Sequence, residues 1–194
     1  MAIDETSIYN LAFDLLDEEV AIDPSDDRAP VRWMKRNYAP VRDAVLRRHP
    51  WNFALARASL SALSDAPPFG WKYQYQLPTE CLRLLPLTEG ALLNGAPVKH
   101  EVEGRRVLTN AKAPLKIRYV QRVEDPNQFD PLFTQLLAAE LAVRAANWIT
   151  GKQSYAERVG QMVRELNEQA TLLDALEGTP ADPLDEDLIA VRFR

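Results

Sequence analysis

The sequence predicts a mainly α, α+β fold: an antiparallel bundle of about four helices, an inserted small antiparallel β-region, and an extended C-terminal tail. Two observations carry this. Apolar residues recur at helical spacing in four segments, two before residue 50 and two after residue 129. Period-two alternation is confined to the stretch between them, about 52–123, with no helical spacing interrupting it, which argues for antiparallel pairing. At 194 residues the chain suits one domain, 1–178, followed by the tail 179–194.

The first helix is predicted at about 4–18, where Ile8, Leu11, Ala12, Leu15 and Leu16 form one apolar stripe. Asp4 or Thr6 caps it, and acidic residues suit its positive end. The polar segment AIDPSDDRAP, 21–30, connects it to a second helix at about 30–48. Pro30 is compatible with a first turn, whereas Pro40 is expected to kink or divide the helix. Val31, Met34, Tyr38, Val41 and Val45 supply its inner face. Arg47, Arg48 and His49 sit at its negative end, and Pro50 stops it.

Within the β-region, Phe53 and Leu55 alternate with smaller residues, and 72–77 alternates polar and aromatic positions. Glu103-Gly104 lies between two strand-like runs and reads as a hairpin. Leu115, Ile117 and Tyr119 alternate with Lys116, Arg118 and Val120 in a last strand. Together these predict one small sheet. A third helix at about 130–150 has Asp130 as cap, Pro131 at its first position and Gly151 after its end. Leu132, Phe133, Leu136, Leu137, Leu141 and Trp148 make it apolar over a wide arc. The fourth, about 154–177, opens with the capping-box spacing Ser154 to Glu157 and buries Tyr155, Val159, Met162, Leu166 and Leu173. The short connection makes these two helices antiparallel.

Composition narrows the class. Hydrophobic residues make up 46% and charged residues 26%, values of a globular chain. No apolar run approaches the ~20 residues of a membrane span. The acidic N-terminus is unlike a signal peptide, so synthesis in the cytoplasm is expected. Cys81 is the only cysteine, which excludes an intrachain disulfide. The net charge of −5 is segregated: nine acids and no base in 1–27, eight bases against Asp43 in 28–58, six acids and no base in 174–187. Such blocks are either solvated faces or complementary strips through which copies meet.

Chemistry is hard to place. There is no glycine-rich phosphate loop. His49 and His100 are the only histidines, and neither has a partner at ligand spacing. Cys81 reads as a small half-buried strand residue, and the carboxylates fall in surface runs rather than as a catalytic pair. No catalytic, cofactor or metal residue is assigned, and none of those ligands is expected. Nucleic-acid binding is the alternative reading. Arg32, Lys35, Arg36, Arg42, Arg47 and Arg48 share one helical region near Trp51, Phe53, Trp71, Tyr73 and Tyr75, a mixture able to hold phosphates and stack on bases. The acidic balance, with pI near 5.2, weighs against it.

The order of parts resembles a known family. The matching segments are VRDAVLRRHPWNFA at 41–54, FGWKYQYQLP at 69–78, CLRLL at 81–85, LKIRYV at 115–120 and DPLFTQLLAAELAVRAA at 130–146. Over about residues 5–178 the chain is similar to the tail tubular protein A-like family of head-to-tail adaptors (connectors) of short-tailed bacteriophages. The Pro-Trp-Asn-Phe-Ala corner and the Gly-Trp to Leu-Pro segment are the most specific parts. The resemblance implies a helical bundle with an inserted β-region, assembled as a ring of typically twelve copies. Such a ring docks under the portal protein in the virion neck and presents its other end to the tail nozzle or tail tube. Double-stranded DNA passes through its bore without sequence-specific binding, and no catalysis or membrane is involved. The interface residues expected on this reading are Arg36, Arg42, Arg47, Arg48, Trp51, Leu188, Ile189 and Phe193.

Overall fold

A computed structural model describes residues 3–21, 23–92 and 95–177. Among these, α1 is Glu5–Asp14, α2 Ala29–Arg48, α3 Pro131–Thr150 and α4 Gln153–Leu176. The strands are β1 Leu55–Leu60, β2 Tyr73–Gln76, β3 Cys81–Leu84, β4 His100–Glu103, β5 Arg106–Thr109 and β6 Leu115–Gln121. The predicted tail, 179–194, lies outside the described residues.

Helix α3 is the centre of the helical layer, and α1, α2 and α4 all pack on it. Its ends follow from sequence. The Asp130 carboxylate accepts hydrogen bonds from the amides of Leu132 at 2.7 Å and Phe133 at 3.2 Å. Gly151, with φ +64°, supplies the left-handed residue that ends the helix. Phe133, Leu136, Leu137 and Leu141 are fully buried, each worth about 1.5–3 kcal/mol relative to exposure. Trp148, assigned to the same arc, is instead half-exposed.

Helix α1 ends at Asp14, short of residue 18, and Asp17 adopts φ +53° beyond it. Helix α2 continues through Pro40, so the proline does not divide it. The capping box at Ser154 is not formed: α4 begins at Gln153, with Lys152 as cap and no side-chain cap bond. In α4, Val159 is buried, but Met162 and Leu173 are exposed.

The β-region is larger in role than one small sheet. Strands β1, β6 and β3 form one antiparallel sheet and β2, β5 and β4 another. Tyr75, Leu77, Val107, Leu115, Ile117 and Tyr119 close a second hydrophobic core between them. The β4–β5 hairpin turns at Gly104, whose φ of +57° suits glycine, in the register Glu103 opposite Arg106. At 48% helix and 19% strand the fold is mixed α+β, which corrects the expectation of a mainly α helical bundle with a small insert. The physical reason is the second core. Strand β6 is central in its sheet, sending Leu115, Ile117 and Tyr119 toward the other sheet while Val120 joins the helical core. The β-region is thus a layer with its own interior.

Candidate functional site

The junction between the layers is built by residues 47–53. Cations are favoured at a helix C-terminus, and Arg47 and Arg48 occupy the last turn of α2. The Arg47 guanidinium donates to the Leu82 carbonyl on β3, and Arg83 Nη1 on β3 donates to the Arg48 carbonyl at 3.1 Å. Helix and strand are laced in both directions. Pro50 then turns the chain and drives Trp51 inward, where it is 1% exposed. Its Nε1 donates to the Val45 carbonyl at 3.2 Å, and its ring meets Phe133 edge-on at 5.2 Å. Phe53 and Phe129 complete the cluster. Asp174 fastens α4 to the same corner. Its Oδ1 accepts from the Asn52 amide at 2.8 Å, and its Oδ2 lies 2.9 Å from His49 Nε2. Asn52 Nδ2 donates to the Asp174 carbonyl at 2.6 Å.

The residues expected at an interface do not gather on one exposed patch. Arg42 is buried, with Nε 2.9 Å from Asp43 Oδ1, and the other Asp43 oxygen accepts from Arg122 Nε at 2.8 Å. Arg48 donates to buried Glu140 at 2.6 Å, and Arg144 takes the second Glu140 oxygen at 3.3 Å. Arg47 is committed to β3, and Trp51 is core. Arg36 is exposed and has no ion pair among the described residues. Leu188, Ile189 and Phe193 lie outside the described residues.

The acidic N-terminal block acts within the chain. Arg28 pairs with Glu19 and Asp26, Arg32 with Asp27, and Lys35 donates to the carbonyls of Pro24 and Asp26 at 2.8 Å each. Of the six cations from Arg32 to Arg48, five are therefore engaged, and Trp51 and Tyr75 are buried. These engagements, with the burial of Trp51 and Tyr75, remove most of the groups that the nucleic-acid alternative drew from the α2 region and its neighbouring aromatics, Arg36 excepted.

Two surfaces escaped the sequence reading. Trp33 of α2 stacks on Trp148 of α3 with centroids 6.5 Å apart, and Trp148 stays 54% exposed. Arg36 lies one turn beyond Trp33, so the patch is aromatic and basic. On α4, Glu157, Gln161, Glu165 and Glu168 are all exposed at spacings of four, four and three, which places them on one face; exposed Arg164 shares that arc, so the face carries three carboxylates and one cation. None of these three carboxylates is ion-paired among the described residues; Glu165 accepts only from Gln161, at 3.3 Å. That stripe runs on to exposed Leu172 and Leu176. Its spacing was a legible signal, whereas the tryptophan pair depends on how α2 and α3 align.

Burial pushes the Cys81 thiol up, away from the nucleophilic thiolate. Among the described residues no three His, Cys, Asp or Glu side chains gather as a metal-binding group, and no helix is long and apolar enough to cross a membrane. No family model matches the chain, and no curated protein matches it.

Proposed function

We propose that this chain is the subunit of a head-to-tail adaptor ring in a short-tailed phage particle, placed between portal and tail. The observation that carries the reading is the pair of surfaces of opposite character, the basic Trp33–Arg36–Trp148 patch and the acidic face of α4. A closed ring of identical subunits needs two different, complementary patches on each copy. Exposed aromatic and apolar side chains beside charge are the composition such contacts use. The resemblance at the Pro-Trp-Asn-Phe-Ala corner supplies the class of assembly, typically twelve copies, with portal and tail nozzle or tube as partners. Engagement of the α2 cations by carboxylates and carbonyls suits a bore through which DNA slides, since fixed phosphate contacts would hold it. The reading assigns no catalytic step.

A charge exchange tests it in the presence of the portal protein of the same particle. Arg36→Glu spoils one face, and Glu165→Arg with Glu168→Arg spoils the other. Each variant alone should lose assembly at least tenfold. Mixed together they should recover it, because alternating copies then present only opposite charges at every contact. Undiminished assembly of both variants alone would rule these faces out.

A further inference from the structure

Sheet β1-β6-β3 carries a cationic row that nothing in the described chain neutralises. In the register of β1 and β6, Arg57 stands directly opposite Arg118, and Ser59 opposite Lys116. Alternation puts all four on the face that Val120 turns toward the helices. Like charges directly opposite on a sheet are destabilising, and among the described residues no carboxylate pairs with any of the three cations. The row lines two adjoining clefts of about 410 and 470 Å³ that share Ala91, Leu92 and Lys116. Leu55 and Leu85 give the first an apolar wall, and Asp174 and Ala175, in the last turn of α4, form its rim. Asp174 is already held by Asn52 and lies beside His49, so it does not serve the row.

We propose that this groove receives the chain's own C-terminal segment, with Asp185, Glu186 and Asp187 against Arg57, Lys116 and Arg118, and Leu188 and Ile189 against the apolar wall. This goes beyond the adaptor reading and does not depend on it. Two facts favour this occupant. The first is complementarity: three consecutive acids are followed at once by two aliphatic residues, which mirrors three cations beside leucines. The second is position. The chain leaves α4 beside the groove, whose lining includes Asp174 and Ala175 as well as Lys116 and Arg118, and the seven residues 178–184 that precede the acids span up to about 23 Å when extended. Intramolecular supply also raises the effective concentration of a weakly binding segment far above that of a free peptide.

The test uses the full chain with Ser59→Cys and Ala190→Cys carrying spin labels, Cys81 being buried and its thiol raised. Distance distributions are read by pulsed electron resonance. A single narrow, short distance is expected. Arg57→Glu with Arg118→Glu should broaden and lengthen it. Adding Asp185→Arg and Asp187→Arg to that variant should restore it, which separates lost docking from lost folding. The idea fails on a broad distribution that charge reversal leaves unchanged. It also fails if the short distance vanishes on dilution with unlabelled chain, because the occupant is then a second copy. Charge-dependent binding of a short DNA duplex in the groove, with the label distance still broad, would likewise overturn it.

Discussion

Replacing Trp51 by alanine tests whether the corner at 50–53 is an internal anchor or a partner-facing surface. The side chain is 1% exposed, packs edge-on against Phe133 at 5.2 Å and His49 at 4.8 Å, and donates to the Val45 carbonyl. Truncating a buried aromatic to alanine costs about 3–5 kcal/mol through lost transfer energy and the cavity left behind. The orphaned carbonyl and lost ring pairs put Trp51→Ala at the upper end, about 4–5 kcal/mol. Trp51→Phe keeps a ring but loses the indole N–H, and about 1–2 kcal/mol is expected. Urea unfolding followed by far-ultraviolet circular dichroism reads both values. At a slope near 2 kcal/mol per molar, alanine should lower the midpoint by about 2 M. A loss below about 1 kcal/mol for Trp51→Ala, combined with failed assembly, would refute the internal role.

Three further outcomes are expected. Glu140→Ala removes the buried partner of Arg48 and Arg144; both arginines reach solvent, so the loss should be about 1–2 kcal/mol in the same assay, below that of a fully buried pair. Burial and its bond to Glu80 push the Tyr119 hydroxyl up to about 12. A raised folded value gives stability that is complete below the unfolded value near 10 and is lost as pH rises from there toward about 12. Tyr119→Phe should therefore flatten, in part, the alkaline arm of stability against pH, and an unchanged slope would exclude that contribution. Asp174→Ala should free the end of α4 from the corner, raising amide hydrogen exchange over 170–177 while leaving α3 protected.

What the sequence disclosed follows the range of the interactions. Asp130, Pro131 and Gly151 bound α3 through contacts within a few residues, and Gly104 marks its hairpin for the same reason. The alternation along 115–120 was legible, but not that its two faces serve two cores, because Tyr75 and Val107 meet Ile117 only once both sheets form. The arginines show the same limit. A basic helix looks like an exposed strip until Glu140, 92 residues from Arg48, or Arg122, 79 residues from Asp43, arrives beside it. The capping box failed because Gln153 already continues the helix before Ser154 can act as cap. The cationic row at Arg57, Lys116 and Arg118 likewise exists only through the register of β1 with β6.

The adaptor reading stands most directly on one observation by electron microscopy. The purified chain, mixed with portal rings of the same particle, should form a closed ring seated on one end of the portal with a continuous central bore. A chain that remains monomeric beside intact portal rings, at concentrations well above those of the portal, would contradict it.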